Sequence, residues 1–281
     1  MRKILLRRSN RSSIGRAPTD MAGLAGRRRA ARWRRLRAVV VELICLLLLW
    51  ELLGVTIGGR SHILPTPINV AQVMWSDRSV LATALRTTSG EALWGFVVGN
   101  AVAIILGVLS VTSRRVASVV VQLGVVSYCL PIVAVGPILI ILLNGALPQE
   151  VLAGIAVVFT TLVLTVEGLQ SASVRQREVI NAFGGTSFAL VRKVLIRSSV
   201  PYIFRGLKIA APASILGAII GEFLSGTGGV GVVMAQASQS LEVSLTWAAA
   251  VVATAAAAIG YAVIGVVGRA VSPWAREVGL S

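Results

Sequence analysis

The sequence predicts an all-α integral membrane protein with about six transmembrane helices, and three observations carry that prediction. Of its 281 residues, 56% are hydrophobic and only 14% are charged. Mean hydropathy is +0.83. The apolar residues gather in runs long enough to cross a bilayer, and most basic residues gather in the segments between them. A water-soluble domain needs far more polar residues to cover its surface. Aromatics are only 5%, so the apolar content is mostly Val, Leu, Ile and Ala, which suits lipid-facing helices better than a β core.

A helix rises ~1.5 Å per residue, so about 20 residues cross a hydrocarbon core of ~30 Å. The first such run is Ala38–Ile57, and the second lies within Ala92–Val111. The third, Val116–Leu143, is interrupted by Pro131 and Pro137. The fourth runs from Val151 to about Gly168, the fifth covers about Leu207–Leu224, and the sixth is Thr246–Val267. A proline break inside a span is tolerated where the backbone faces protein or a water-filled cavity. Two spans carry small residues four apart, Gly95 with Gly99 and Gly217 with Gly221. Such pairs let helix backbones approach closely.

Charge sets the orientation. Net charge is +16, and thirteen of the 27 Lys and Arg fall in residues 2–37. Three further basic groups follow: Arg114 with Arg115, the region Arg175–Lys208, and Arg269 with Arg276. Two spans separate each group from the next, so all four lie on the same side. That places 24 of 27 basic residues in the cytoplasm with both termini, leaving Arg60, Arg78 and Arg86 outside. Residues 1–37 form a basic cytoplasmic tail and residues 38–275 a membrane domain. The first apolar run follows 37 residues and has no small-residue cleavage site behind it, so it reads as a retained anchor. Met21 is an alternative start that keeps seven basic residues ahead of the run. Nucleic acid is not an expected partner, because no aromatic stacking platform accompanies the charge.

Little in the chain suggests an enzyme. Residues 226–231, GTGGVG, match the dinucleotide pattern G-x-G-x-x-G, but they follow a membrane helix instead of a strand and fall on the outer side. They are expected to form an external loop. No Walker-type phosphate loop occurs. His62 is the only histidine, so no histidine-based metal cluster can form, and no cofactor is expected. Cys45 and Cys129 both fall in apolar runs and read as small buried hydrophobes. Glu42, Glu51, Glu91, Glu150, Glu167 and Glu222 sit near span ends, where most are expected to reach interfacial water. Glu222, just ahead of the glycine loop, is the candidate to line a pathway or gate together with Gly228 and Gly229.

The longest inner loop, about residues 170–206, contains EVINAFG at 178–184 and GTSFALVRKVLIRSSVP up to Pro201. Phe188, Val191, Val194 and Leu195 suit a short amphipathic helix, with a sharp bend at Gly184-Gly185 before it. Such a helix-turn-helix could be a docking surface or an element held at the lipid head groups.

At this loop the sequence resembles the permease subunit of bacterial ABC importers. That family carries Glu-Ala-Ala, three residues, Gly, nine residues, then Ile-x-Leu-Pro. Glu178 and Gly184 keep the spacing, with Val194 at the Ile position and Ile196 at the Leu position. Val179 and Ile180 stand where the family has Ala, Arg197 replaces the proline, and Pro201 matches a proline often found four residues later. Residues 205–224, the following SGTGGVGVVM, and LPTP at 64–67 look like the nitrate, sulfonate and taurine branch. The resemblance implies a type I importer permease fold over residues 38–275 and no enzymatic activity of its own. It also implies partners: two copies of a cytoplasmic ATP-binding subunit, a second permease chain in a homo- or heterodimer, and an extracytoplasmic solute-binding protein. Glu178, Ala182, Phe183, Gly184 and Gly185 would form the ATPase-coupling loop, and the solute would be a sulfonate, nitrate or related small molecule. The competing reading is an ion-driven secondary transporter. The chain shows no internal repeat, and only its third span is clearly broken, whereas such transporters carry broken helices in matching halves.

Overall fold

The computed structural model describes residues 37, 38, 40–42, 44–58, 64–111 and 113–276. The expectations placed on residues 1–36, Arg60 and His62 lie outside the described residues. The first span, α1, is helical over 44–53 and runs into a π turn at Gly54–Gly58. LPTP then starts α2, Pro67–Ser76: the Thr66 hydroxyl accepts the Asn69 N–H at 3.3 Å, and Pro67 takes a first-turn position whose N–H would have no helical partner. The Trp50 indole N–H donates to the Pro65 carbonyl at 3.1 Å, and its ring lies 5.4 Å from that of Trp247. These contacts tie α1 to the outer end of the bundle.

Helix α3, Arg78–Leu109, has 32 residues, about 48 Å at ~1.5 Å each. It therefore starts well before the span expected at Ala92. The third span is two helices, α4 at Arg114–Cys129 and α5 at Ile132–Leu142. The break lies at Leu130, held extended at φ −66, ψ 121 ahead of Pro131, because a proline ring disfavours the α region in the residue before it. Pro137, expected to interrupt this span as well, lies inside α5 without ending it. Helix α6 covers Leu147–Gln170 and α7 covers Val174–Ala182. Helix α8 is continuous over Ser187–Ser225 and includes a π turn at Val191–Leu195. Helix α9 is Val230–Gln239 and α10 is Val243–Val271, followed by a 3-10 turn at Pro273–Arg276.

Among the described residues, α3, α6, α8 and α10 are long and apolar enough to cross a membrane alone. Charge parity calls for one crossing between Arg115 and the outer loop before α6, which the shorter apolar helices α4 and α5 would make together. Helix α6 packs against both α3 and α8, which also touch each other, and small residues set both of its contacts. A side chain at Gly95 of α3 would lie 2.8 Å from the Gly154 backbone nitrogen, and one at Gly217 of α8 would lie 2.7 Å from the Ala153 Cα. Both small-residue pairs therefore close on adjoining faces of α6, and Gly95 and Gly217 both meet Ala153. Deeper in, Thr161 donates to the Asn100 side-chain oxygen, and the Asn100 amide donates to the Phe96 carbonyl at 2.6 Å. That joins α3 to α6 through buried polar groups that are all partnered.

Two expectations are corrected. Cys45 and Cys129 are exposed on this chain rather than buried, because α1 and α4 lie on its periphery with apolar faces turned outward. The amphipathic helix beyond Gly185 is not a separate element but the first turns of α8. Its Val191, Val194 and Leu195 pack with Leu169, Ala172, Val108 and Val111, whereas Phe188 points away and is 72% exposed.

Candidate functional site

The outer end of the bundle holds a polar cluster built from four helices. Helix α8 ends at Gly226 in the left-handed region, φ +70, with its N–H on the Glu222 carbonyl at 3.0 Å. The chain turns through Gly228 and Gly229 and starts α9 at Val230. The first N–H groups of a helix have no partner in the helix itself, and here two find one across the fold. Val230 N–H donates to the Thr88 hydroxyl of α3 at 2.9 Å, and Gly231 N–H donates to Glu222 Oε2 at 2.7 Å. Glu222 therefore caps α9 from inside the preceding helix and is fully buried. Its carboxyl group lies against Gly229, where a side chain would collide with it.

Thr88 and Glu91, three residues apart, share a face of α3 and are both buried. The Glu91 and Glu222 carboxyl groups lie within hydrogen-bonding reach of each other. From α6, the buried Gln149 amide donates to the Ser225 hydroxyl at 2.8 Å and to Thr227 at 2.5 Å. A crevice of about 480 Å³ opens beside the loop, bordered by Ser79, Thr83 and Thr87 of α3 and by Gly228 and Gly229.

Glu91 is thus not the interfacial side chain the sequence suggested. Helix α3 begins thirteen residues before it, so it falls in the helix interior rather than at an end. The structure brings Glu222 and Gly229 into contact and puts Gly228 one residue away on the crevice wall. Thr88 and Gln149 were not anticipated. The available signal was the Thr-x-x-Glu spacing of Thr88 and Glu91, which puts two polar groups on one face of an apolar helix.

At the cytoplasmic end, α7 and α8 form a tight hairpin. Ser173 and Gln176 cap α7 reciprocally: the Ser173 hydroxyl accepts the Gln176 N–H at 3.3 Å, and Gln176 Oε1 accepts the Ser173 N–H at 3.0 Å. The helix stops because Gly184 adopts φ +69 and the Gly185 N–H reaches back to the Ile180 carbonyl at 2.9 Å, a glycine C-cap that satisfies a terminal carbonyl. Thr186 then caps α8 by accepting the Ala189 N–H. Glu178, Ala182, Phe183, Gly184 and Gly185 all lie on this hairpin, and all are exposed. Phe183 is 87% exposed, and Val174, Val179 and Phe188 are also turned outward.

Residues 99–277 match the family described as the binding-protein-dependent transport system inner membrane component. The chain belongs to this family. It is accordingly a multi-pass protein of the bacterial plasma membrane and a transport component rather than an enzyme. It is 24% identical over 236 residues to the formylaminopyrimidine transport permease protein ThiX of Halalkalibacterium halodurans, covering 83% of this chain and 94% of that protein. SsuC of Bacillus subtilis, named for the transport of aliphatic sulfonates, is 20% identical over 209 residues, covering 73% of this chain and 75% of that one. In fold it resembles a chain of the MetNI methionine ABC transporter in inward-facing conformations, with a TM-score of 0.55 and 17% identity over 71% of this chain and 98% of that chain. The membrane permease fold is thereby established for the described residues. The relatives are named for chemically different solutes, so they support the nitrate, sulfonate and taurine branch only loosely.

Proposed function

We propose that this protein is the membrane-spanning permease subunit of an ATP-driven importer. It forms the pathway for a small polar organic solute, a sulfonate or a heterocycle of the kind its relatives are named for. It takes force from a separate cytoplasmic ATPase through the loop at about residues 170–206. The full assembly is two permease chains, identical or different, two ATPase subunits and an external solute-binding protein. The observation that carries the coupling role is the hairpin itself. It is rigidly capped at three points yet presents Val174, Val179, Phe183 and Phe188 unpartnered, next to the exposed Glu178. Exposed apolar side chains on a short charged hairpin are what a docking knob requires. At the opposite end, Glu222, Gly228 and Gly229 shape the external gate, because a shift of α8 would carry Glu222 and with it the start of α9.

The coupling role is tested at Gly184 and Glu178. Nothing lies within 4 Å of a side chain at Gly184, so Gly184→Val acts through the left-handed backbone, a cost of roughly 1–2 kcal/mol, and distorts the bend. Glu178→Ala removes an exposed charge and no cap. Both variants should insert normally. Both should co-purify with less ATPase or hydrolyse ATP without solute uptake, with Glu178→Ala about tenfold weaker in ATPase binding. Wild-type binding and coupling in both would remove this hairpin as the coupling element.

A further inference from the structure

The cluster beneath the glycine loop is short of hydrogens. Glu91 and Glu222 are 7% and 0% exposed, and their carboxyl groups face each other within hydrogen-bonding reach. Glu222 Oε2 takes the Gly231 N–H, but Glu222 Oε1 and Glu91 Oε2 are buried with no hydrogen-bond partner. An ionised carboxylate only accepts, so two of them facing each other offer lone pairs and no hydrogen. The surroundings do not supply it. The Gln149 amide is donating to Ser225 and Thr227, and its own Oε1 is another buried acceptor without a partner. The Thr88 hydroxyl has a single hydrogen, which it donates to the Ala84 carbonyl at 3.1 Å. The further charged group acting on Glu91 from the packed helices is Glu150 of α6, again an acid.

We propose that Glu91 and Glu222 share one proton, and that this proton fastens the start of α9 and the glycine loop to α3. The O–H of one carboxyl donates to the carboxylate of the other. No bond to carbon changes, and the pair keeps a single negative charge. That charge has a counterpart: the positive end of the ten-residue α9, whose N–H at Gly231 already points at Glu222. A second buried charge would have none, which is why one proton, rather than none or two, completes the site. Charge-assisted O–H···O hydrogen bonds are among the stronger ones. This one would link α3 and α8 directly at the base of the loop. Its importance for solute passage rests on the gate reading above; its existence does not.

Infrared difference spectroscopy of the full chain in lipid nanodiscs with its ATPase tests the proposal at neutral pH. Glu91→Gln and Glu222→Gln keep the side-chain size and let an amide N–H replace the shared proton. Wild type minus either single variant should show one protonated-carboxyl C=O band that shifts in heavy water. Wild type minus the double variant should show the same one band with the same area. No band would mean an ionised pair bridged by water or a cation, two bands in the wild-type-minus-double-variant difference would mean a proton on each residue, and loss in only one single variant would mean an unshared proton. Each of these overturns the proposal. Should a variant fail to assemble, wild-type chain labelled with carbon-13 at the glutamate carboxyl reads the same band directly, and its absence is equally fatal. Uptake by the two single variants addresses the gate separately. If the bands behave as expected while uptake is unchanged, the gate role fails and the shared proton stands.

Discussion

At Gly229 two constraints coincide that are separate at the other described glycines of positive φ. The backbone is at φ +88, where a side chain is strained, and a side chain there would also overlap the Glu222 carboxyl. Gly184 has the same kind of backbone, φ +69, with open space around it. The two positions therefore separate conformational cost from steric cost. Gly184→Ala should lower stability by roughly 1 kcal/mol, the left-handed backbone term alone. Gly229→Ala should cost about 3 kcal/mol or more, because it also displaces a buried carboxyl from the N–H it caps. Thermal unfolding in detergent measures both, and equal losses would mean that the Glu222 contact is not what fixes the loop. The requirement for glycine at 184 was legible in the sequence, since a Gly-Gly pair between two polar-flanked helices signals a bend. The requirement at 229 was only half legible: the loop was recognisable, but the buried carboxyl beneath it was not.

Helix α6 has two adjoining faces set by backbone approach. Gly95 and Gly99 of α3 close on one of them, Gly217 and Gly221 of α8 on the next, and Ala153 is common to both. In lipid, helix association relies on such packing because moving apolar side chains from lipid to protein gains little. A Gly217 Cβ would meet the Ala153 Cα at 2.7 Å and the Leu152 carbonyl at 2.8 Å, backbone atoms that cannot swing aside. Gly90 of α3 has nothing within 4 Å. Gly217→Ala should therefore lower the unfolding temperature of the purified protein, while Gly90→Ala should leave it unchanged or raise it slightly, in line with the helix preference of Ala over Gly of about 1 kcal/mol. Comparable losses at both positions would remove close α6–α8 approach as a source of stability. The spans and the glycine pairs could be read from the chain because each is a local pattern imposed by bilayer thickness and helix pitch. The polar cluster could not. Glu91, Gln149 and Glu222 sit on three helices, and no local pattern says which apolar helices meet. The extra length of α3 was hidden for a related reason: its first turns mix Arg78, Thr83, Arg86 and Ser89 with apolar residues, so a hydropathy window starts the span late.

The molecule as a whole has a polarity of charge that fixes its orientation, and both proposed roles depend on it. The expected division of Lys and Arg, 24 of 27 on one side, turns the hairpin of α7 and α8 to the cytoplasm, where an ATPase would reach it. The glycine loop faces outward, where a binding protein would deliver solute. Single cysteines test this in a chain whose exposed Cys45 and Cys129 have been replaced by alanine. Ser187, exposed at the start of α8, and Ser240, exposed in the turn between α9 and α10, are suitable sites because cysteine is close to serine in size and neither side chain serves as a cap. In intact cells a membrane-impermeant maleimide should label Ser240→Cys and spare Ser187→Cys. In inside-out vesicles the pattern should reverse. An even number of crossings must separate Arg115 from the hairpin, and α4 with α5 supplies one of the two only if the break at Pro131 does not turn the chain back. A re-entrant third span would leave Arg114 inside but move Ser187 outside and Ser240 inside. Labelling of Ser187→Cys from outside would therefore sink the coupling and gate roles together, whereas the expected pattern leaves both open to the separate tests given above.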